Sequence, residues 1–493
     1  MSDLTKTLDA MKEAQANGSS DLAKAFTQGT GLVAYDLQAP ALALYPFLAL
    51  MTMLRNEIPR VGGGGDTATR WKAITGINTT NVHPGVSEGN RGALISTTVA
   101  NYLASYAGFG LEDTVSFEAD YAAQGFDDVK ARSRLGLLRS LMLAEEAQLL
   151  GGNASLSLGT TPTPTLADAA GSWTLPTLTY SVIVVALTAQ GFSRTSLANG
   201  VPGQLAKSNV DGSSDTINGG AAQKSAAATQ AITLGQALQC TVATVEGAVG
   251  YAWFIGAAGA EKLEFITTIN SLQVTAPLNG TRQAASALTA ADYSKDAVYN
   301  VDGLLTFAKS ANNSIVQALA TGTVGTGTTL TSDGAGGVAE INNLLQTLFD
   351  TYRLGPDELL VSSAGIRLIN KLCIGNGGAP LFRFVMDDKG GVPGLSAGAT
   401  IGSYLNPITN QLIRVRVHPN MPAGTILGYC REIPYPLNGV GNVMQVKTRR
   451  EYYSIDWPVG IQGRKFPFGV YCDEVLQHYA PFAMMKLYNI AGA

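Results

Sequence analysis

The chain has 493 residues, of which 46% are hydrophobic and only 14% carry charge, with 56 glycines, 20 prolines and a net charge of -4. Disorder needs many charges and few apolar residues, collagen needs a strict glycine period, and a nucleic-acid reader needs a basic excess, so these classes drop out. Soluble domains average about 25% charged residues, and a shortfall at ordinary hydrophobicity points to a large protein–protein contact area, because interface cores are poor in charge.

A length of roughly 150 residues per domain predicts about three domains. Residues 1 to about 30 read as a short amphipathic helix (Leu4, Leu8, Met11) and a flexible Gly/Ser stretch, without the apolar core of a signal peptide. The most apolar run, 39–54, contains Pro40 and Pro46 and is shorter than the ~20 residues of a membrane span, so it is expected to lie buried against protein. These features describe a cytoplasmically made chain with no membrane partner. Gly62, Gly63, Gly64 and Gly65 form a predicted hinge, since consecutive glycines free the backbone. Residues 71–118 then alternate apolar and polar positions around a polar tip, which reads as one long hairpin that must lie on something else.

The strongest helix prediction is 127–150, capped by Asp127 or Asp128, stopped by Gly151 and Gly152, with Val129, Leu135, Leu138, Met142 and Leu149 at helical spacing. Asp127–Lys130 and Asp128–Arg132 are spaced to pair within it. Arg134, Arg139, Glu145 and Glu146 are not, and basic groups fill its first half against the macrodipole. Partners elsewhere, or a plain solvated face, account for such a pattern.

Residues 153–286 hold only eleven charged residues, and short β-type runs recur at 180–188, 232–234, 239–246, 251–256, 262–268 and 271–276. That is the pattern of an immunoglobulin- or fibronectin-like β-sandwich, with Trp253 a candidate core residue and no partner expected for Cys240. From Ala339 the chain is mixed: an amphipathic helix ending at Gly355-Pro356, the strand DELLVSS, the helix AGIRLINKL, a Gly-rich loop over 375–402, then strands LIRVRVH, GTILGYC, VMQVKTRREYY and GVYCDEVLQHY and the closing run PFAMMKLYN.

Catalytic chemistry finds little footing. VGGGGDTATR lacks the Lys-Ser/Thr of a phosphate loop, and GTVGTGTT (322–329) is not set between strand and helix. His83, His418 and His478 stand at no metal-binding spacing, the four cysteines (Cys240, Cys373, Cys430, Cys472) form no CxxC pair, and no GxSxG elbow is present. Asp387-Asp388 and Glu145-Glu146 are adjacent acids whose side chains diverge. No enzyme, cofactor or metal is expected.

Three stretches, LRSLMLAEEAQLLGGN (138–153), LLQTLFDTYRLGPDELLVSSAGIRLINKL (344–372) and HPNMPAGTILGYC (418–430), together with the order of elements around them, resemble the major capsid proteins of tailed bacteriophages. The resemblance implies an α+β, Hong Kong 97-type capsid fold with an inserted all-β immunoglobulin-like sandwich. It implies an N-terminal arm (1–60), an E-loop hairpin (61–120), a spine helix (121–152), the sandwich (153–286), peripheral-domain segments (287–356 and 441–470) and axial-domain segments (357–440 and 471–493). It further implies a homo-oligomer of hexamers and pentamers enclosing double-stranded DNA in a virion capsid assembled in the host cytoplasm. Portal, scaffold and decoration proteins are the implied partners, with non-sequence-specific DNA contact. Arg134, Arg139, Glu145, Glu146, Trp71 and Lys72 become candidate inter-subunit contacts. Lys72, the only lysine of this E-loop, lies at its base, so a lysine cross-link is not carried over. The leader is also shorter than a fused scaffolding domain. An encapsulin-type compartment is the alternative in the same fold, and a β-rich adhesin or tail-associated binding protein the alternative in another class.

Overall fold

The computed structural model describes residues 51–63, 65–76, 84–92, 98–124, 128–288, 290–375, 385–386, 395–396, 401–433, 442–458 and 463–492. The expected N-terminal helix, most of the 39–54 run, Gly64, His83, Asp127 and Asp387-Asp388 lie outside the described residues.

Helix α1 (Met53–Glu57) and strand β1 (Arg60–Gly62) come first, followed by β2 (Ala68–Gly76) and β3 (Thr98–Ser105), which pair antiparallel as a two-stranded ribbon. Strand β4 (Ala107–Ser116) does not continue that ribbon, so the long hairpin expected over 71–118 ends near Ser105. Its apolar side chains Phe109 and Leu111 pack instead against Leu141 of the following long helix and against Val470 and Cys472 of the strand 465–478 with which it pairs. Helix α2 (Phe117–Ala123) follows, then α3 (Val129–Gly151), whose first turn is capped by Asp128 accepting from the Ala131 amide at 2.9 Å. Lys130 reaches Asp120 on α2 at 2.9 Å and sits over the Phe466 ring. Leu135, expected in the apolar stripe, is exposed; Leu141, Leu149 and Leu150 are the buried leucines of α3.

Nine strands and one short helix occupy 165–274: β5 (Thr165–Trp173), β6 (Leu178–Leu187), α4 (Ala189–Arg194), β7 (Gln204–Ser208), β8 (Ser214–Asn218), β9 (Ala228–Ile232), β10 (Gly235–Thr241), β11 (Gly250–Gly256), β12 (Lys262–Thr267) and β13 (Ser271–Val274). Two antiparallel sheets, ordered β13-β10-β5 and β12-β11-β6-β9, share one core in which Val182, Val184, Leu238, Cys240, Trp253, Leu272 and Val274 meet. Trp253 is fully buried, and its indole N–H donates to the Thr267 hydroxyl at 2.8 Å. The outer face of β6 (Ile183, Val185, Leu187) is buried as well, against Val201, Ala221 and Ala285. Burial on both faces explains why YSVIVVAL is a continuous apolar run where a one-sided strand would alternate.

The remaining elements are α5 (Leu304–Phe307), β14 (Ile315–Ala318), α6 (Ala339–Tyr352), β15 (Glu358–Val361), α7 (Ser363–Gly375), the pair β16 (Val385–Met386) and β17 (Leu395–Ser396), β18 (Ser403–Leu405), β19 (Leu412–Val417), β20 (Ile426–Tyr429), β21 (Met444–Asp456), β22 (Lys465–His478) and β23 (Met484–Tyr488). They build two sheets: β14-β23-β20-β15-β19-β18, and β1-β21-β22-β4 with β1 parallel to β21. In β15, Leu359 and Val361 face Ile341, Leu344, Leu345 and Ile369 of α6 and α7, while Leu360 faces the end of α3 (Leu149, Leu150), Trp71 of β2 and Leu54 of α1. Period-2 alternation thus places the six-stranded sheet between a helical layer and the junction of α1, α3 and the hairpin.

That junction makes one glycine obligatory. A Cβ on Gly63 would stand 2.6 Å from both the Thr448 carbonyl oxygen and the Tyr106 hydroxyl, whereas Gly62 has open space. The Gly63 amide also donates to the Thr448 carbonyl. Gly62 and Gly63 therefore extend the β1–β21 pairing, and close approach, more than hinge freedom, explains glycine at 63. Gly63→Ala should lower stability by about 1–3 kcal/mol, read as a lower urea midpoint, and Gly62→Ala should leave it within about 0.5 kcal/mol.

Candidate functional site

Two of the charges left without local partners on α3, Glu145 and Glu146, converge where the N-terminal segment 51–62 meets the body. Glu145 and Glu146 lie in the last two turns of α3, both buried. Helix α1 has orphan N–H groups in its first turn and no side-chain cap from Thr52. Glu146 supplies the cap from across the fold: its two carboxylate oxygens accept from the Leu54 amide at 2.7 Å and the Arg55 amide at 2.8 Å. His418, following β19, completes it. Its Nδ1 accepts from the Asn420 amide, so Nε2 carries the proton and donates to Glu146 at 2.8 Å.

Glu145 takes the other side. Arg60 of β1 binds it through Nη1 and reaches Glu474 of β22 through Nη2 at 2.8 Å. Arg55 stands 3.4 Å from Glu145, and the Tyr452 hydroxyl of β21 donates to the same carboxyl. Both guanidiniums stack over the Tyr452 ring, 5.1 Å from its centre. Burial raises the Glu145 carboxyl above its usual range even though Arg60 and Arg55 oppose the shift.

A second ionic group fastens the same segment to the six-stranded sheet. Glu57 bridges Arg416 of β19 and Arg431. Glu358 of β15 meets Arg431 at 2.7 Å, Arg416 at 3.2 Å and Arg414 at 3.3 Å, and accepts from the Tyr429 hydroxyl. Burial alone would raise Glu358, but Tyr429, Arg431 and Arg416 hold it below the ordinary carboxylate range. Removing charge from water is costly unless every lone pair is matched, and these acids are matched almost completely.

The predicted site residues are placed as follows. Glu145 and Glu146, candidates for contact with a neighbouring subunit, meet Arg55, Arg60, Tyr452, His418 and the α1 amides of the same chain, and both are buried within it. Trp71 is likewise buried, donating to the His478 carbonyl at 3.1 Å and stacking on Tyr102. Arg134 pairs with Asp456 at the surface, Arg139 is half-buried on α3, and Lys72 is exposed on β2. His418 and His478 are both buried in the core, and burial lowers His478 to about 3, which keeps it neutral. Sequence reasoning did not single out Arg55, Arg60, Tyr452 or Glu474, and considered His418 only as a metal ligand. The only local signal was a pair of acids near a helix C-terminus, where the macrodipole disfavours them.

Among the described residues no group of three or more His, Cys, Asp or Glu converges as a metal site, and no helix is long and apolar enough to cross a membrane. No protein-family model and no curated protein matches the sequence. Among solved structures the chain is similar to the capsid of the native GTA particle (TM-score 0.43, 10% identity, covering 96% of this chain and 99% of that one). It is similar to the holo-SrpI encapsulin complex from Synechococcus elongatus PCC 7942 (TM-score 0.40, 7% identity, 97% of each chain). It is also similar to the capsid of Myoviridae phage XM1 (TM-score 0.38, 9% identity, 94% of this chain and 100% of that one).

Proposed function

We propose that this chain is the shell-forming subunit of a tailed-phage head, assembling as hexamers and pentamers around packaged double-stranded DNA. The observation that carries the reading is the β2–β3 ribbon. One face, with Trp71, Ala73, Tyr102 and Ala104, packs on the body. The other carries Arg70, Lys72, Val99 and Leu103, with Val99 46% and Leu103 62% exposed. A two-stranded ribbon is marginal by itself, and its outer apolar residues call for cover by a second copy. Lys72 and Arg134 remain the exposed candidates for subunit contact, and DNA would be met through phosphates without base readout. The two-sheet body over 165–274 is read as an inserted immunoglobulin-like domain that would serve outer-surface decoration or lattice contact. Portal, scaffold and decoration proteins are the partners this function needs.

Negative-stain microscopy of the expressed full chain should show round shells or capsomer rings; a discrete monomer would sink the reading. Leu103→Asp should leave the urea midpoint unchanged yet cut shell yield about tenfold or more, since 1.4 kcal/mol per contact is already a factor of ten. Nuclease-protected DNA in native particles distinguishes a phage head from a compartment loaded with protein cargo.

A further inference from the structure

Glu474 is fully buried on β22, and while Oε2 receives Arg60, its buried Oε1 receives no donor among the described residues. The neighbouring carboxyl is Glu145, within hydrogen-bonding reach of it. Two ionised carboxylates in this position would leave an orphan acceptor facing a like charge. One proton on Glu474 removes both faults, because Oε1 then becomes a donor to Glu145. The assignment to Glu474 follows from the partners: Glu145 already accepts from Arg60 and Tyr452 and faces Arg55. Burial, and next the nearby Glu145, push Glu474 up to about 8.

The groups around the pair are Arg55 from α1, Arg60 from β1, Glu146 from α3 with His418 behind it, Glu451 and Tyr452 from β21, and Cys472 and Asp473 from β22. Glu451 is exposed, 3.8 Å from Arg60. With Glu474 protonated, Arg55 and Arg60 balance Glu145 and Glu146; without the proton one negative charge is buried in excess.

We infer that Glu145 and Glu474 share a single proton beneath Arg60, and that this proton is a pH-sensitive latch holding β1 and the segment before it on the body. The site does not depend on the shell reading. A folded-state carboxyl raised above its ordinary value contributes stability that is complete below that ordinary value. The contribution is lost as pH rises through the folded value, so the latch loosens on the alkaline side.

Hydrogen exchange of the full-length protein, followed in peptides covering 51–63 and corrected for intrinsic rate, tests this at about pH 6 and about pH 9. Wild-type protection should fall about tenfold or more between them. Glu474→Gln, whose amide donates to Glu145 and cannot ionise, should keep the same protection at both. Glu451→Gln should behave as wild type. Protection independent of pH in the wild type, or an equal fall in Glu474→Gln, overturns the latch. Should Glu474→Gln fail to fold, infrared spectra of the wild type decide: a protonated-carboxyl stretch present near neutral pH and lost by about pH 9 supports it, and its absence near neutral pH overturns it.

Discussion

Glu146→Ala should cost about 3–5 kcal/mol of stability, the range expected when one partner of a buried charged network is removed. The variant strips the cap from the Leu54 and Arg55 amides and leaves the His418 Nε2–H unpaired in the interior. Each buried group left unsatisfied costs about 1–3 kcal/mol. Glu146→Gln should recover only part, because its NH2 faces donors. Asp456→Ala, which removes the exposed partner of Arg134, should change stability by no more than about 1 kcal/mol. Urea midpoints measure all three, and protease cleavage within 51–62 should appear first in Glu146→Ala. Equal midpoints for Glu146→Ala and Asp456→Ala would show that burial is not what gives this site its strength.

Trp253→Ala should destabilise by about 3–5 kcal/mol, the usual range for deleting a large buried aromatic. Its ring fills the space between two sheets, among Val182, Val184, Leu238 and Cys240, and its removal leaves a cavity that short strands cannot close. Trp253→Phe keeps most of the volume but loses the bond to Thr267, so a smaller loss is expected. Hydrogen exchange over 165–274 should accelerate in Trp253→Ala before it does in the six-stranded sheet. An unchanged urea midpoint for Trp253→Ala would refute the placement of this ring at the centre of the core.

Local pattern and local chemistry made much of the architecture readable. Helix α3 was legible from its Asp128 cap and terminal glycines, α6 from its amphipathic spacing, and β6, β11, β19, β20, β21 and β22 from their apolar runs. Strand β5 was not. TLADAAGSW is mostly exposed and built largely of small residues, so it carries no hydrophobic alternation to read. The exposed β7–β8 hairpin hid for the same reason. Strand β4 looked like the return arm of a hairpin because alternation reports one buried face and not which sheet buries it; pairing with β22 settled that.

By itself, the sequence determined where the longer helices and the more apolar strands lie, that the low-charge middle is β-rich, and that Glu145 and Glu146 have no opposite charge at helical spacing in their own helix. Those properties arise from neighbours a few residues apart. Only the tertiary structure decided who the partners are. Glu146 meets Leu54 from 92 positions away and His418 from 272 positions away, separations at which periodicity carries no information. Desolvation, which sets the cost of each charge, exists only once the surrounding elements have closed over it.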